Sequence, residues 1–266
     1  MNKYNKIQIY LRQFSGLRNN PDRPDWFNTE KVFVNLLNTI NQSCSLTVCF
    51  EREEDFNSHF ISKYYNKNGN TFKLVFISTK NKTRETFSEE SWSHSVAATS
   101  EVILQDIQNG VIADDCLIYI LEEDYLHLPY WPQITLDLFN NFISNNDYVC
   151  LYDHNDKYIF RQTESTINNY NLEKHWGMYR DLKSEIIVSN ARHWRNLPNC
   201  GLSMIMSKSL FLRDQEVWIK GYSDCEIGYQ LLTKHKTNFW TPMPSVSTHC
   251  INPFLAPLVD WKKVIN

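Results

Sequence analysis

The sequence has few glycines and lacks long apolar runs. Its 266 residues include seven glycines, with no GxGxxG or GxxxxGKS/T pattern among them, which argues against a dinucleotide-binding site and a P-loop. The longest apolar stretches, such as residues 116–121, are far shorter than the roughly 20 residues that cross a bilayer. The start has alternating rather than continuous apolar residues, unlike a signal peptide. We expect a cytoplasmic protein with no transmembrane segment, for which peripheral contact at the membrane surface stays open.

Charge of one sign is not in excess either. The chain carries 27 Lys plus Arg against 30 Asp plus Glu, a formal net charge of −3, and both signs are interspersed. Proteins that bind nucleic acid through its phosphates need a basic surface. We therefore expect no nucleic-acid partner.

Cysteine is present, but not as a disulfide framework. The seven cysteines are odd in number and scattered, and a chain of this length can build a core without disulfides. We predict reduced, mostly buried thiols with neither a metal nor a catalytic role.

Short strand-like runs alternate with longer helical patterns, which predicts an α/β fold with a largely parallel sheet. Hydrophobic residues make up 42% of the chain and aromatic residues 14%, which suits one large domain or two closely joined lobes with a soft boundary near residue 130. Strands are predicted at residues 7–11, 46–50, 72–77, 116–121, 148–152, 184–188 and 201–206. Helices are predicted at residues 26–40, capped by Asn28 or Thr29, 91–109, closed by Asn109-Gly110, 132–143 and 225–233.

Three acidic residues directly follow the most apolar predicted strand. Glu122, Glu123 and Asp124 come straight after residues 116–121, at the carboxyl edge of the sheet, where open α/β sheets bind ligands. Neighbouring carboxylates repel each other, and a hard cation such as Mn²⁺ or Mg²⁺ removes that repulsion and neutralises a nucleotide diphosphate. The alternative is a solvated acidic turn that only ends the strand.

The residues around these acids resemble a group of enzymes. The segment LEEDYLH at residues 121–127 is similar to the LEDDYLH segment that carries the DxD-type motif in GT-A-fold glycosyltransferases of bacteria and large viruses, with Glu123 in place of Asp. Other segments resemble the same group in the same order: IYLRQFS at residues 9–15, LYDHNDKY at 151–158 with Asn155 in place of Pro, HWR at 193–195, STH at 247–249 and PLVDW at 257–261.

The resemblance spans nearly the full chain and implies both a fold and an activity. The implied fold is a GT-A-type α/β domain covering residues 1–266, with a mostly parallel central sheet and a smaller mixed region on the acceptor side. Residues 1–130 would bind the nucleotide sugar and residues 131–266 the acceptor. The implied activity is metal-dependent transfer of a sugar from a nucleotide diphosphate sugar to a glycan or glycolipid acceptor in surface polysaccharide or glycan assembly. We expect inversion rather than retention, because the sequence offers a base but no well-placed nucleophile.

The resemblance also implies a metal site. Asp124 and Glu122 would bind Mn²⁺ or Mg²⁺, since this pair keeps the spacing of the motif, and His249 of the STH segment would complete the site. Glu123 is a further candidate contact to the nucleotide sugar. A buried, hydrogen-bonded histidine is the simpler interpretation of His249.

Three other residues are expected to bind the nucleotide sugar. Arg12 leaves the first strand, and its planar guanidinium suits phosphate or ribose. Glu51 ends the second strand, where an acid contacts the nucleoside in the GT-A-fold enzymes that the chain resembles. Ser95 belongs to residues 93–95, predicted to start a helix whose N–H groups attract an anion. The simpler interpretations are a salt bridge for Arg12, an exposed charge run for Glu51 and helix capping for Ser95.

A base and an acceptor groove complete the implied site. Asp224, at the start of the late helix, is predicted to deprotonate the acceptor hydroxyl, with Glu226 as the alternate. A simple N-cap would also explain Asp224. Aromatic faces stack on sugar rings and polar side chains bind hydroxyls, although ordinary packing explains aromatic residues as well. The predicted acceptor-binding residues are Asp153, His154, His193 and Trp194.

Two other functions stay open at this point. A sugar-nucleotide nucleotidyltransferase uses a related sheet and the same ion, but it should carry a Gly-rich first loop with a nearby Lys and Arg, and this loop has just Gly16. A catalytically silent relative would bind glycan or nucleotide without transferring anything.

Overall fold

The structure is a computed structural model. It describes the backbone but not the side chains of residues 89–93, 224, 225 and 253. The residues that it describes are 3–14, 22–65, 71–77, 89–154, 184–189, 192–196, 201, 203–220, 222, 224–235 and 237–266.

The first half of the chain alternates strands and helices as predicted. Its elements are β1 (Lys6–Gln13), α1 (Thr29–Thr39), β2 (Cys44–Phe50), α2 (Glu53–Phe56), a 3₁₀ helix (Phe60–Tyr64), β3 (Lys73–Phe76), α3 (Glu89–Gln108), β4 (Cys116–Glu122), β5 (Tyr125–His127) and α4 (Trp131–Asn141).

The second half is more mixed. Its elements are β6 (Tyr148–Val149), β7 (Ile186–Val188), β8 (His193–Asn196), β9 (Met204–Ser207), α5 (Lys208–Ile219), α6 (Asp224–His235), β10 (Phe239–Met243), β11 (Ser247–His249), a 3₁₀ helix (Asn252–Phe254) and α7 (Trp261–Val264).

Nine of these strands form one sheet in the order β3-β2-β1-β4-β9-β6-β10-β8-β7. The strands β1 to β4 are parallel to one another. Only β9 and β8 run against their neighbours, so the other seven strands share one direction. The predicted fold class, an α/β fold with a mostly parallel central sheet flanked by helices, is confirmed.

Hydrophobic layers cover both faces of the sheet, which is typical of parallel strands. One layer contains side chains of α1, α4 and α7, and the other contains side chains of α3, α5 and α6. Successive residues of a strand point to opposite faces. Along β4, the first layer therefore receives Leu117, Tyr119 and Leu121, and the second receives Cys116, Ile118 and Ile120.

Two predicted helix boundaries are confirmed. Asn28 caps α1, where its side-chain oxygen accepts a hydrogen bond from the Lys31 N–H at 2.9 Å. Gly110 follows α3 with a φ of 72°, the left-handed conformation that favours glycine after a helix.

The predicted strands of the second half are corrected in one respect. Residues 184–188 and 201–206 were expected to be two antiparallel strands around a connecting segment, but that segment contains β8, which pairs with β7 and β10. The later strand, β9, instead lies between β4 and β6. Helix α5 was not predicted.

A second, two-stranded sheet lies beyond the end of β4. Strand β5 pairs with β11 in antiparallel register, with Tyr125 opposite His249 and His127 opposite Ser247. This pairing brings a late segment of the chain to the residues that follow β4.

The prediction of reduced, mostly buried thiols is confirmed for the five cysteines whose side chains the structure describes. Cys44, Cys49, Cys116, Cys150 and Cys250 are free thiols, and all but the half-buried Cys44 are buried. Burial raises the pKa of Cys49 to about 12 and that of Cys116 to about 11, which keeps both thiols protonated. Across the described ranges, every helix is too short or too polar to span a membrane.

Candidate functional site

The carboxyl ends of β1 and β4 meet in the middle of the sheet. Arg12 lies beside Glu122 in the register of the two strands. Glu122 is the last residue of β4, and the turn that follows contains Glu123 and Asp124. This is the edge of an α/β sheet where ligands bind.

All three acids of this turn are buried. The exposed fractions of Glu122, Glu123 and Asp124 are 5%, 7% and 1%. Acidic residues are buried to this extent only when they are paired. A solvated acidic turn, the simpler interpretation of this segment, is therefore wrong.

Arg12 pairs with the first of these acids. Its Nη2 lies 2.8 Å from Glu122 Oε1, and both side chains are buried. Its Nη1 donates a hydrogen bond to Ser95 Oγ at 3.0 Å. Ser95 lies in the second turn of α3 rather than at its start, because the helix begins at Glu89. Its contact with the site is therefore through its side chain and not through a helix N-terminus.

A second arginine, Arg23, pairs with Asp124. Its Nη2 lies 2.6 Å from Asp124 Oδ2, and its Nη1 donates to the Cys250 carbonyl at 2.8 Å. The guanidinium carbon lies 4.4 Å from the ring centroid of Phe27, a cation–π distance. The sequence analysis missed Arg23, which lies beyond the segment of residues 9–15 that carried the resemblance.

His249 contacts the same carboxylate oxygen. Its Nε2 lies 3.1 Å from Asp124 Oδ2, and its ring stacks on Tyr125 at 5.0 Å between centroids and 6° between planes. Burial lowers the pKa of the imidazole, but the charge and hydrogen bond of Asp124 and the charge of Glu122 outweigh it. The net result is a His249 pKa above its ordinary value, because the protonated ring is a better partner for the carboxylate.

The donor atoms at this site suit a hard divalent cation in type but not in arrangement. Glu122 is held by Arg12, and Asp124 is held by Arg23 and His249. In the part of the chain that the structure describes, no three His, Cys, Asp or Glu side chains are placed to hold a metal ion. These residues therefore do not fit Mn²⁺ or Mg²⁺ as they are arranged, and the metal roles of Asp124, Glu122 and His249 stay predictions.

The structure places Glu51 at the same edge of the sheet. It describes the backbone of the predicted base, Asp224, but not its side chain. Glu51 follows β2, is half-buried and donates its backbone N–H to the Gln13 carbonyl at 3.1 Å. Asp224 is the first residue of α6, but its side chain lies outside the described residues. Glu226 is exposed on the same helix. The roles predicted for all three stay predictions.

His154 approaches the site from the second half of the chain. Its ring lies 4.3 Å from that of Tyr152. A Cβ atom built on Gly201 would lie 3.0 Å from His154 Nε2 and 3.2 Å from the hydroxyl oxygen of Tyr125, which itself stacks on His249. The absence of a side chain at Gly201 therefore allows this close approach. The sequence analysis singled out neither Gly201 nor Tyr125.

The other predicted acceptor residues have different surroundings. Asp153 is buried, and its Oδ1 accepts hydrogen bonds from Arg195 Nη2 at 2.6 Å and from the Thr241 hydroxyl at 2.9 Å. Trp194 is fully buried and donates its indole N–H to Ser189 Oγ at 3.1 Å. The ring of Trp194 has no exposed face in this arrangement, and its role in acceptor binding stays a prediction. His193 is exposed at the start of β8.

No protein-family model and no curated protein sequence matches this chain. Solved structures give distant matches. The S. aureus TarS fragment of residues 1–349 is 10% identical with a TM-score of 0.47; the match covers 89% of this chain and 57% of that one. CMP:2-keto-3-deoxy-manno-octonic acid synthetase complexed with CTP is 10% identical with a TM-score of 0.46, covering 91% and 92%.

A third solved structure, 4-diphosphocytidyl-2C-methyl-D-erythritol synthase, is 8% identical with a TM-score of 0.44, covering 98% of this chain and 99% of that one. At these identities and TM-scores the matches do not assign an activity.

Proposed function

We propose that this protein is a glycosyltransferase that moves a sugar from a nucleotide diphosphate sugar to a glycan or glycolipid acceptor in surface polysaccharide or glycan assembly. The observation that carries the proposal is a pair of arginines, the buried Arg12 and the half-buried Arg23, at the carboxyl edge of β1 and β4. Two guanidinium groups at a ligand-binding edge suit the two phosphates of a nucleotide diphosphate. The resemblance of six segments, in the same order, to GT-A-fold glycosyltransferases supports the same function.

In the proposed reaction, the acceptor hydroxyl attacks the anomeric carbon in line with the departing diphosphate. The bond between that carbon and the phosphate oxygen breaks, and negative charge develops on the diphosphate near Arg12 and Arg23. Asp224, with Glu226 as the alternate, takes the proton of the acceptor hydroxyl. This route inverts the configuration of the sugar.

The two halves of the chain would divide the substrates between them. Glu51 and Ser95, with Glu123 of the acidic turn, are proposed to bind the nucleotide sugar. His154 and the exposed His193 are proposed to bind the acceptor. The proposed role of Asp153 is to position this region, because its carboxylate is already paired with Arg195.

A panel of nucleotide sugars tests the proposal. A donor that binds the folded state raises the melting temperature, and a glycosyltransferase without an acceptor slowly hydrolyses its donor. We expect at least one nucleotide sugar to do both, with a loss of hydrolysis of roughly 100-fold in Arg12→Gln. Lys208→Gln removes an ion pair with Asp114 near the opposite end of β4 and is the matched control. If no nucleotide sugar stabilises or is hydrolysed by the wild-type protein, the proposal is wrong.

One observation favours a second candidate, a sugar-nucleotide nucleotidyltransferase. Such an enzyme needs a cation from the first loop to stabilise the attacked α-phosphate, and Arg23 comes from the loop after β1. Incubation with each nucleoside triphosphate and a set of sugar phosphates separates the two candidates. Pyrophosphate release that requires the sugar phosphate supports the nucleotidyltransferase, and donor hydrolysis without it supports the glycosyltransferase.

A further inference from the structure

Arg23 and a divalent cation would compete for one carboxylate. Arg23 Nη2 lies 2.6 Å from Asp124 Oδ2, and His249 Nε2 contacts that same oxygen at 3.1 Å. A metal bound to this oxygen would have to displace the guanidinium. Displacement would leave a buried guanidinium without its carboxylate, which is strongly unfavourable.

The position of Arg23 is fixed by more than the ion pair. The same guanidinium donates to the Cys250 carbonyl and lies over the Phe27 ring, and 9% of the side chain is exposed. A charge held by a carboxylate, a carbonyl and an aromatic face is preorganised, unlike a mobile surface arginine. It occupies the place at Asp124 that the sequence assigned to a metal ion.

The two arginines keep donors for a ligand. Within the described part of the chain, neither Arg12 Nε nor Arg23 Nε has a hydrogen-bond partner, although both atoms are buried. Buried polar atoms without partners are rare and point to a ligand or water. A guanidinium N–H pairs well with a phosphoryl oxygen. Both Nε atoms are therefore candidate donors to an anion.

We propose that Arg23 replaces the divalent metal in this protein, so that the diphosphate of the donor binds to Arg23 and Arg12 without Mn²⁺ or Mg²⁺. The inference rests on the proposed function, because it concerns the same nucleotide diphosphate. It differs from the Mn²⁺ or Mg²⁺ site that the sequence led us to expect. Asp124 then positions Arg23 rather than a metal ion.

Calorimetric titration of the wild-type protein with UDP, GDP, CDP, ADP and dTDP, each in EDTA and in MnCl₂, tests the inference without any variant. We expect at least one nucleotide to bind in EDTA with a Kd within roughly twofold of its Kd in Mn²⁺. Binding that is tenfold or more weaker in EDTA overturns the inference and leaves the proposed function standing. No binding under either condition overturns both.

Variants assign the effect to Arg23. Arg23→Gln should weaken nucleotide binding in EDTA by roughly tenfold or more, because it removes a charge-assisted contact to phosphate. Arg23→Gln/Asp124→Asn removes both charges together, avoids an unpaired buried carboxylate and should show the same loss. Lys208→Gln is the control and should bind like the wild type. Wild-type affinity in both Arg23 variants, with melting curves showing them folded, overturns the role of Arg23.

Discussion

Asp124 is the residue where segments from three parts of the chain meet. It follows β4, it pairs with Arg23 of the loop after β1, and it contacts His249 of β11. Its backbone carbonyl also accepts the Cys250 N–H at 2.9 Å. The carboxylate therefore fixes both the guanidinium and the imidazole of the proposed donor site.

Asp124→Asn tests this role by removing the negative charge of the carboxylate. The amide keeps the shape of the side chain but does not hold the guanidinium by charge, so we expect donor hydrolysis to fall by roughly 100-fold. Asp114→Asn, which changes an exposed acid paired with Lys208, is the matched control. Hydrolysis rates and melting temperatures of both variants are the measurements. Equal rates in Asp124→Asn and the wild type would contradict the proposed site.

A buried histidine of β5 makes stability depend on pH. Burial lowers the pKa of His127 to about 3, and its Nε2 is 2.9 Å from the Tyr119 hydroxyl. An unfolded histidine has a pKa of about 6.5. Between these values the unfolded chain binds a proton that the folded chain does not, so the free energy of unfolding falls as pH decreases. One such group contributes about 1.4 kcal/mol per pH unit.

His127→Gln removes the side chain that binds this proton in the unfolded chain. The free energy of unfolding, measured with urea from pH 4.5 to 6.5, should lose less on acidification in the variant than in the wild type, by about 1.4 kcal/mol per pH unit. Above pH 7 the histidine is neutral in both states, so its contribution to the slope disappears there. His193→Gln, which replaces an exposed histidine, is the control. Parallel curves for His127→Gln and the wild type would rule out this assignment.

At the scale of elements, the junction between β9 and α5 depends on one buried hydroxyl. Ser207 ends β9 and caps α5, where its Oγ accepts the Leu210 N–H at 3.0 Å and donates to the Asn145 carbonyl at 2.8 Å. Leu210 lies in the first turn of α5 and Asn145 in the turn before β6, so one hydroxyl joins the end of β9 to both segments.

Ser207→Ala should lower the free energy of unfolding by about 2 kcal/mol, because it removes a cap and a further buried hydrogen bond. Asn28→Ala at the start of α1, an exposed cap, is the comparison, with an expected loss of about 1 kcal/mol. Urea unfolding of both variants gives the two values. A smaller loss for Ser207→Ala than for Asn28→Ala would contradict this account.

Sequence patterns predicted the elements whose periodicity is regular. Strands β1 to β4 are short apolar runs, and α1 and α3 carry a helical stripe with clear boundary residues. Strand β8 was missed because its buried residues, Trp194 and Arg195, are neighbours in sequence and do not alternate with exposed ones. The hydroxyl that caps α5 was missed because Ser207 belongs to the preceding strand.

The acids of the site could be predicted, but their partners could not. Glu122 and Asp124 directly follow a strand whose character is evident in the sequence. Arg23 lies 101 residues before Asp124, and only the tertiary fold brings the two together. Gly201 could not be predicted either, because only the tertiary fold brings it against His154 and Tyr125, where a side chain would crowd both of them. The likeness of residues 247–249 to a family segment is what identified His249.

At the scale of the whole molecule, the two halves share their hydrophobic cores. One core cluster extends from Tyr4 to Ile265, and the other joins Tyr10 of β1 with Trp218 of α5. Strand β4 of the first half pairs with β9 of the second. The predicted soft boundary near residue 130 therefore does not separate two cores, and a single domain stays our prediction.

This sharing predicts one cooperative unfolding transition. Far-ultraviolet circular dichroism and tryptophan fluorescence should give the same urea midpoint, because no half retains a complete core on its own. A fragment of residues 1–130 should show no cooperative transition, since β4 would lose its neighbour β9. Two separate midpoints, or a fragment that unfolds cooperatively, would show that the halves are independent domains.

The pairing of β5 with β11 has a consequence for how the protein acquires its activity. Asp124 and His249 meet across 125 residues of chain, and contacts of such long range close late because a large loop must be ordered first. We expect the strands of the first half of the chain to form before the protein can bind a nucleotide. During refolding, nucleotide binding would then report only fully folded molecules, whereas circular dichroism would also detect partly folded ones.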